Sequence, residues 1–170
     1  SPINPMMISE LVKAANNDDC IYVPLDSLLA SQTDVNGAFC RYSLVVKWMC
    51  AMEIKEGTRG DGYRIYEELY SKVFHGKSRI KVLTRLLTED WKSDLYPVAV
   101  TSCGWLYDGE HRVAAAIVKG MKGIHVRLCN RQFKHQPRSS ILQYNKMFSV
   151  ANMQLITCAK QEMFAALGMQ

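Results

Sequence analysis

The sequence predicts a single α/β domain, on the evidence of how its helical and extended patterns are distributed. Apolar residues recur at helical spacing over most of the first 90 positions and again after residue 139. Short β-branched runs led by proline or glycine lie between residues 96 and 128. No repeat, low-complexity tract or Pro/Ser-rich linker divides the 170 residues, so we expect one domain over 1–170.

Composition is that of an ordinary globular chain, with 48% hydrophobic and 22% charged residues. Lys and Arg number 21 against 16 acidic residues, a net charge of +5 that favours anionic partners without establishing nucleic-acid binding. The most apolar stretch, residues 43–52, contains Lys47 and is too short to cross a bilayer. We therefore expect no membrane span.

The six cysteines form no C-x-x-C pair and no disulfide-rich framework. Zinc would need thiolates and imidazoles at close, paired spacings, and the four histidines stand far from any such pairing in sequence. This usage predicts reduced, mostly buried thiols and a cytoplasmic location. Residues 1–9 lack a basic region followed by an apolar stretch, so no signal peptide is expected.

The N-terminal elements are predicted from caps and spacing. Asn4-Pro5 is typical of a helix start, and the helical stripe that follows ends at residues 16–19. Residues 20–29 then give a short β-rich run, Pro24, and a turn-like Asp26-Ser27.

Three helices are predicted next. Residues 39–54 are too densely and extensively apolar for one strand, which indicates a buried helix ending near Gly57. After a glycine-rich loop, a stripe of Ile65, Leu69 and Val73 predicts a second helix that Gly76 closes. A further apolar face over residues 80–87 predicts a third, ending near Trp91.

The middle of the chain changes character. "YPVAVT" and "GWLY" are expected to pair as a hairpin, followed by Asp108-Gly109 as a turn. "HRVAAAIVKG" has the alanine density of a short helix packed on a sheet, and residues 123–128 form the next strand. From about 139 to 168 the pattern is helical, which predicts a C-terminal helical extension.

Residues 108–112, "DGEHR", combine features of an anion site. Backbone N–H groups at a helix start lack internal partners and lie at the positive end of the helix dipole. Arg112 adds a planar charged donor suited to bidentate phosphate contact. The spacing alone is also that of an ordinary surface turn.

The stretch "YPVAVTSCGWLYDGEHRVAAAIVKGMKGIHVRL", residues 96–128, resembles the core of the ParB/sulfiredoxin superfamily. Its Pro-led strand, the G-x-x-R turn at Gly109 to Arg112, the alanine-rich helix, Gly120 and the strand at 124–126 match the parts of that core. Residues 21–29 are similar to the opening element of such domains, and the resemblance covers about 21–128.

The resemblance implies a small mixed sheet flanked by helices, here with extra C-terminal helices that either cover the sheet or form a homodimer contact. It also implies that Gly109, Glu110, His111 and Arg112 bind the phosphates of ATP or CTP. Members include CTP-binding partitioning proteins, sulfiredoxins, serine kinases, and plasmid or phage ATPases and nucleases. Plasmid fertility-inhibition proteins of this type combine ATPase and DNase activity.

The sequence differs from members of this superfamily at two positions, and each difference argues against one of their activities. Glu110 stands where sulfiredoxin has its reactive cysteine, so sulfinic acid repair is not expected, and Cys103 is expected to be a buried, inert thiol. His111 stands where a partitioning protein has a second arginine, and the chain is too short for that protein's helix-turn-helix domain.

We expect an enzyme that binds ATP with Mg²⁺ and hydrolyses it. Glu110 is the candidate general base, Asp108 either a metal ligand or a helix cap, and His111 either a phosphate contact, an acid or a packing residue. The resemblance would bring Asp26 opposite the turn as a further catalytic carboxylate; the alternative is a solvated turn residue.

Three alternatives stay open. One is DNA cleavage, with the loop at 129–138 guiding the strand through Arg131, Lys134 and Arg138 around Phe133. The second is a kinase acting on a small hydroxyl substrate. The third is a non-catalytic nucleotide- or DNA-binding inhibitor that acts through a protein partner. The segment at 75–81, "HGKSRIK", is either a second phosphate-facing segment or a helix linker.

Overall fold

Seven helices and four strands make up the described part of the chain, residues 5–70, 77–129 and 146–169 of this computed structural model. The helices are α1 (Pro5–Ala15), α2 (Leu25–Ala30), α3 (Tyr42–Glu56), α4 (Asp61–Tyr70), α5 (Lys77–Thr88), α6 (Glu110–Val118) and α7 (Val150–Ala166). The strands are β1 (Ile21–Pro24), β2 (Val98–Val100), β3 (Leu106–Asp108) and β4 (Gly123–Leu128).

The strands form one mixed sheet in the order β1-β4-β2-β3. β4 pairs antiparallel with β1, Val126 lying opposite Ile21, and parallel with β2, where the same residue lies opposite Val98. β2 and β3 form the expected antiparallel hairpin. A mixed sheet with helices packed on it confirms the predicted mixed α/β architecture. The parallel strands β2 and β4 are separated along the chain by β3 and α6, as a parallel connection requires.

α3 and α6 lie side by side and run in the same direction. At their first turns the Ser43 hydroxyl contacts the Glu110 carboxylate, and at their last turns the Lys55 ammonium donates to the Val118 carbonyl at 3.4 Å. Buried alanines 114–116 present little bulk on α6, which lets neighbouring elements approach closely. The positive ends of both helix dipoles consequently lie at one end of the molecule.

Two element predictions differ from the structure near the N-terminal half. Asp26 and Ser27 lie in the first turn of α2 rather than in a turn, and the Asp26 carboxylate accepts from the Ser27 N–H at 2.7 Å. α3 begins at Tyr42 rather than Phe39, because Phe39 pairs with Thr33 in an isolated bridge. Extended pairing holds that apolar residue in the core without helix.

The C-terminal helix α7 packs against α3. The ring of Phe164 meets that of Phe39 edge to face, with centroids 5.1 Å apart. Residues 139–145 of the predicted extension lie outside the described residues, as do Val73 and Gly76 of the predicted second helix. No helix in the described part of the chain is long and apolar enough to span a membrane.

All six cysteines are free thiols, but most are not buried. Only Cys40 and Cys50 are buried, where burial raises the pKa of each thiol, to about 11 for Cys40 and about 12 for Cys50. Cys103 and Cys158 are exposed. The prediction of a buried Cys103 is wrong because this residue lies in the turn of the β2–β3 hairpin, outside the sheet.

Candidate phosphate-binding cleft

A glycine makes the turn from β3 into α6. Gly109 is the N-cap of α6 and has φ of 117°, a conformation that other residues rarely adopt. A Cβ atom at this position would lie 2.6 Å from Cγ1 of Val98 on β2. The turn therefore requires glycine both for its backbone angle and for the close packing of α6 on the sheet.

No side chain caps the start of α6 in the described structure. Asp108, expected either to cap this helix or to hold a metal, does not cap it, and its Oδ2 lies 3.3 Å from Nη2 of Arg112. Its side chain is 64% exposed. The N-terminal N–H groups of α6 are thus left without a carboxylate or hydroxyl cap, as an anion-binding helix start requires.

The start of α6 opens into a cleft of about 380 Å³, which falls in the range of about 300–1,000 Å³ typical of small-ligand sites. Among the described residues, its cationic lining comes from three helices and the residue before one of them: Arg41 and Lys47 at α3, Arg79 of α5 and Arg112 of α6. The acidic residues that line it are Asp108 and Glu110, and Val82, Leu86 and Tyr107 supply an apolar part. In the described part of the lining, cations outnumber acids, so the cleft favours an anionic ligand.

Glu110 lies at the centre of a polar cluster between α3 and α6. Lys47 Nζ lies 2.6 Å from its Oε1, and Ser43 Oγ donates to the carboxylate at 2.8 and 3.0 Å from the two oxygens. Arg41 Nη1 lies 3.8 Å from Oε2. Only 15% of the Glu110 side chain and 8% of the Lys47 side chain are exposed, so the pair is shielded from solvent.

This cluster keeps Glu110 ionised. Burial by itself raises the pKa of the carboxyl, but the charges of Lys47 and Arg41 and the hydrogen bonds from Lys47 and Ser43 outweigh it and hold that pKa below its usual range. Burial lowers the pKa of the Lys47 ammonium, while Glu110 opposes that change. The result is a buried carboxylate that stays ionised between two cations.

His111 lines the cleft and also contacts two aromatic residues of α4. Its Nε2 lies 2.9 Å from the Tyr66 hydroxyl, and its ring lies near those of Tyr66 and Tyr70. Burial, followed by the charges of Lys47 and Arg79, lowers the pKa of His111 to about 3. The imidazole is therefore neutral near pH 7, a state that fits its packing against α4 and still allows a hydrogen bond to a phosphate in the cleft.

Arg112 connects α6 to the segment before β2 through hydrogen bonds. Its Nη1 donates to the carbonyls of Tyr96 and Pro97 at 2.9 and 2.8 Å, in addition to the Asp108 contact. Its side chain is 22% exposed and lines the cleft. The residue expected to hold phosphate thus also fixes the position of the strand that follows Pro97.

Arg41 joins the cleft to the loop before α3. Its guanidinium lies 3.9 Å from the centroid of the Trp105 ring, Nε donates to Gln32 Oε1 at 3.2 Å, and Nη2 donates to the Leu106 carbonyl. These contacts orient the guanidinium, so that Arg41 is presented to the cleft in a defined position.

The remaining predicted site residues lie elsewhere or outside the described part. Asp26 lines a separate cavity with Gly120 and Met121, beyond the C-terminal end of α6, so the structure does not bring it to the turn. A helix the length of α6 separates it from Glu110. Arg131, Lys134 and Arg138 lie outside the described residues.

Ser43, Lys47 and Arg79 belong to the cleft or its polar cluster but were not predicted as site residues. Lys47 had a usable signal, because a lysine inside a dense apolar run is a candidate for a buried, paired charge. Arg79 lies in residues 75–81, the segment predicted to be either phosphate-facing or a helix linker. Ser43 had no signal, since only the packing of α3 on α6 brings it to Glu110.

Among the described residues, no three His, Cys, Asp or Glu side chains are grouped to hold a metal ion. Mg²⁺ in nucleotide enzymes is commonly bound by one or two carboxylates together with substrate phosphates. The exposed carboxylate of Asp108 at the cleft fits that limited role.

Comparison of the chain with family models, curated proteins and solved structures finds no match. The relation to the ParB/sulfiredoxin superfamily accordingly stays a prediction from the sequence.

Proposed function

We propose that this protein binds ATP in the cleft at the start of α6 and hydrolyses it. The observation that carries this proposal is the convergence of four cationic side chains on the N-terminal ends of two parallel helices, α3 and α6. Helix N-termini and guanidinium groups each bind phosphates in proteins, and here they meet in one cleft.

The cleft suits a nucleotide better than a bare phosphate because its lining has two chemical halves. Arg79 and Lys47 provide charge for the phosphates. Val82 and Leu86 of α5, together with Tyr107 of β3, provide an apolar surface on which a base and sugar can pack.

Glu110 is the residue that would accept a proton during hydrolysis. Its carboxylate stays ionised beside Lys47 and lies within the first turn of α6, next to the expected position of the phosphates. Asp108 would supply one ligand to Mg²⁺, and the ion would neutralise charge that develops on the phosphates.

We also propose that the fold is of the ParB/sulfiredoxin type. The order of elements supports this: a Pro-led strand, a hairpin, a G-x-x-R turn that opens α6, and a strand that returns parallel to β2. Transfer of the phosphate to a small hydroxyl substrate, DNA cleavage, and nucleotide binding without turnover are the alternatives that the same site would permit.

The test is a titration with ATP and with CTP, each with and without Mg²⁺, in which binding and released phosphate are followed in the same samples. We expect saturable ATP binding that Arg79→Ala weakens by about tenfold or more, because a charge-assisted contact to phosphate contributes about 1.5–3 kcal/mol. Arg85→Ala is the matched control, since Arg85 lies on the same helix, is exposed and does not line the cleft.

Glu110→Gln separates an enzyme from a binding module. For a catalytic base, phosphate release falls by about 100-fold or more while ATP binding persists. Binding by wild-type protein without phosphate release would contradict the hydrolase proposal, and equal binding by wild type and Arg79→Ala would contradict the site.

A further inference from the structure

The hydroxyl of Ser43 is placed as a nucleophile within the cleft's polar cluster. Ser43 Oγ donates to the Glu110 carboxylate and lies 2.8 Å from Oε2 and 3.0 Å from Oε1. A hydroxyl that donates a hydrogen bond to a buried carboxylate has the arrangement of a nucleophile with its general base. Lys47, 2.6 Å from the same carboxylate, lies next to both groups.

The surroundings of Ser43 also suit the product of a phosphoryl transfer. Ser43 is the second residue of α3, so a phosphate on it would lie at the positive end of that helix dipole. Arg41 contacts Oε2 of Glu110 and Lys47 contacts Oε1. Both side chains are positively charged and would form ion pairs with the new phosphate. Among the described residues, this is where a serine, a carboxylate and two cations share one contact network.

We propose that Ser43 is a site of autophosphorylation, accepting the γ-phosphoryl group of a nucleoside triphosphate bound in the cleft. This inference rests on the proposed nucleotide binding but not on hydrolysis. The Ser43 hydroxyl proton passes to the Glu110 carboxylate as Oγ forms a bond to the γ-phosphorus. The bond from that phosphorus to the bridging oxygen breaks, and the nucleoside diphosphate leaves with the electron pair. Glu110 then releases its proton to solvent.

The product changes the charge of the cluster. A phosphoserine beside Glu110 adds negative charge at a carboxylate that already pairs with Lys47 and Arg41. The phosphate and the carboxylate would compete for these cations, so Lys47 and Arg41 become shared between them. The modified protein should accordingly bind a second nucleotide more weakly, because the cations are already engaged.

The experiment is incubation of the full chain with Mg²⁺ and ATP, followed by intact mass measurement and mapping of the modified peptide. We expect one added phosphoryl group on Ser43. Ser43→Ala should abolish it while ATP binding persists. Ser27→Ala is the matched control and should leave labelling unchanged, because Ser27 also lies near a carboxylate, Asp26, but outside the cleft.

Two further variants test the mechanism. Glu110→Gln should slow labelling by about 100-fold or more through loss of the base, with folding checked by its unfolding midpoint. Arg79→Ala should reduce labelling in parallel with ATP binding; undiminished labelling in that variant would point to a contaminating kinase and overturn autophosphorylation.

The outcomes distinguish this inference from the function on which it rests. ATP binding without any phosphoserine at Ser43, or with the label on another residue, overturns the inference and leaves nucleotide binding intact. No ATP binding by wild-type protein overturns both. Label on Ser43 that depends on Glu110 and Arg79 supports both.

Discussion

Lys47 is the buried cation that compensates the charge of Glu110. With 8% of its side chain exposed, it is one of the few charged residues within the apolar core, and it also lies 4.9 Å from the centroid of the Tyr70 ring. Buried ion pairs add little net stability when formed, but the loss of one partner leaves the other charge buried and poorly compensated.

Lys47→Met should therefore lower the free energy of unfolding by about 3 kcal/mol, measured by urea denaturation at pH 7. Lys55→Met is the control on the same helix. Its ammonium donates to one carbonyl at the exposed end of α3, so its loss should cost less than about 1 kcal/mol.

The double variant Lys47→Met with Glu110→Gln completes the test. If the cost arises from an uncompensated carboxylate, removing that charge should recover part of the lost stability. Equal stability of the single and double variants would contradict this account and attribute the cost to packing of the lysine stem.

At the scale of elements, the site depends on how α6 meets the sheet. Gly109 lets the chain turn out of β3 and begin α6 in contact with Val98, and Arg112 ties the first turn of α6 to the carbonyls before β2. The helix start is thus fixed from both sides, which positions its N–H groups before any ligand arrives.

Gly109→Ala should destabilise the protein by about 2 kcal/mol or more, because the new Cβ meets both an unfavourable φ and the Val98 side chain at 2.6 Å. Gly120→Ala is the matched control. It has φ of 74° but nothing within 4 Å of the added atom, so about 1 kcal/mol is expected. Thermal unfolding of both variants measures the difference, and equal costs would contradict the role given to Val98.

The order of helices and strands was largely predictable because it depends on local patterns. Alternation, helical spacing, Pro5 at a helix start and Gly57 at a helix end each act within a few residues. The prediction of a turn at Asp26-Ser27 was wrong because residues that form turns are also common in the first turn of a helix. Helix boundaries at such positions depend on tertiary packing.

The site was only partly predictable because its residues meet through packing across the molecule. The DGEHR turn carries a local signal, whereas Ser43 reaches Glu110 only because α3 and α6 run parallel with their starts in register. Arg79 reaches the same cleft from α5. The spacing of residues in the sequence does not determine these distances. A site whose residues come from three helices can therefore be identified only from the structure.

At the scale of the whole molecule, the buried polar groups around α6 make stability depend on pH. The groups that face His111 come from every helix packed around it: Lys47 on α3, Tyr66 and Tyr70 on α4, Arg79 on α5, and Glu110 and Arg112 on α6. Burial and the surrounding cations lower the pKa of His111 to about 3, against an ordinary value of 6.5. Glu110 also has a lowered pKa, but its effect begins only near and below its ordinary value of 4.5.

Between pH 6.5 and 3 the unfolded chain binds a proton at His111 that the folded protein excludes, so stability must fall as the pH falls through this window. From pH 7 to pH 5 we expect a loss of about 1–2 kcal/mol from this residue. Urea unfolding across that range should show a smaller loss in His111→Gln than in wild type. The comparison concerns the change with pH, which separates the titration from any packing defect of the variant. An identical pH dependence in the two proteins would mean that His111 has the same pKa in the folded and unfolded states, and would contradict its burial as a neutral imidazole.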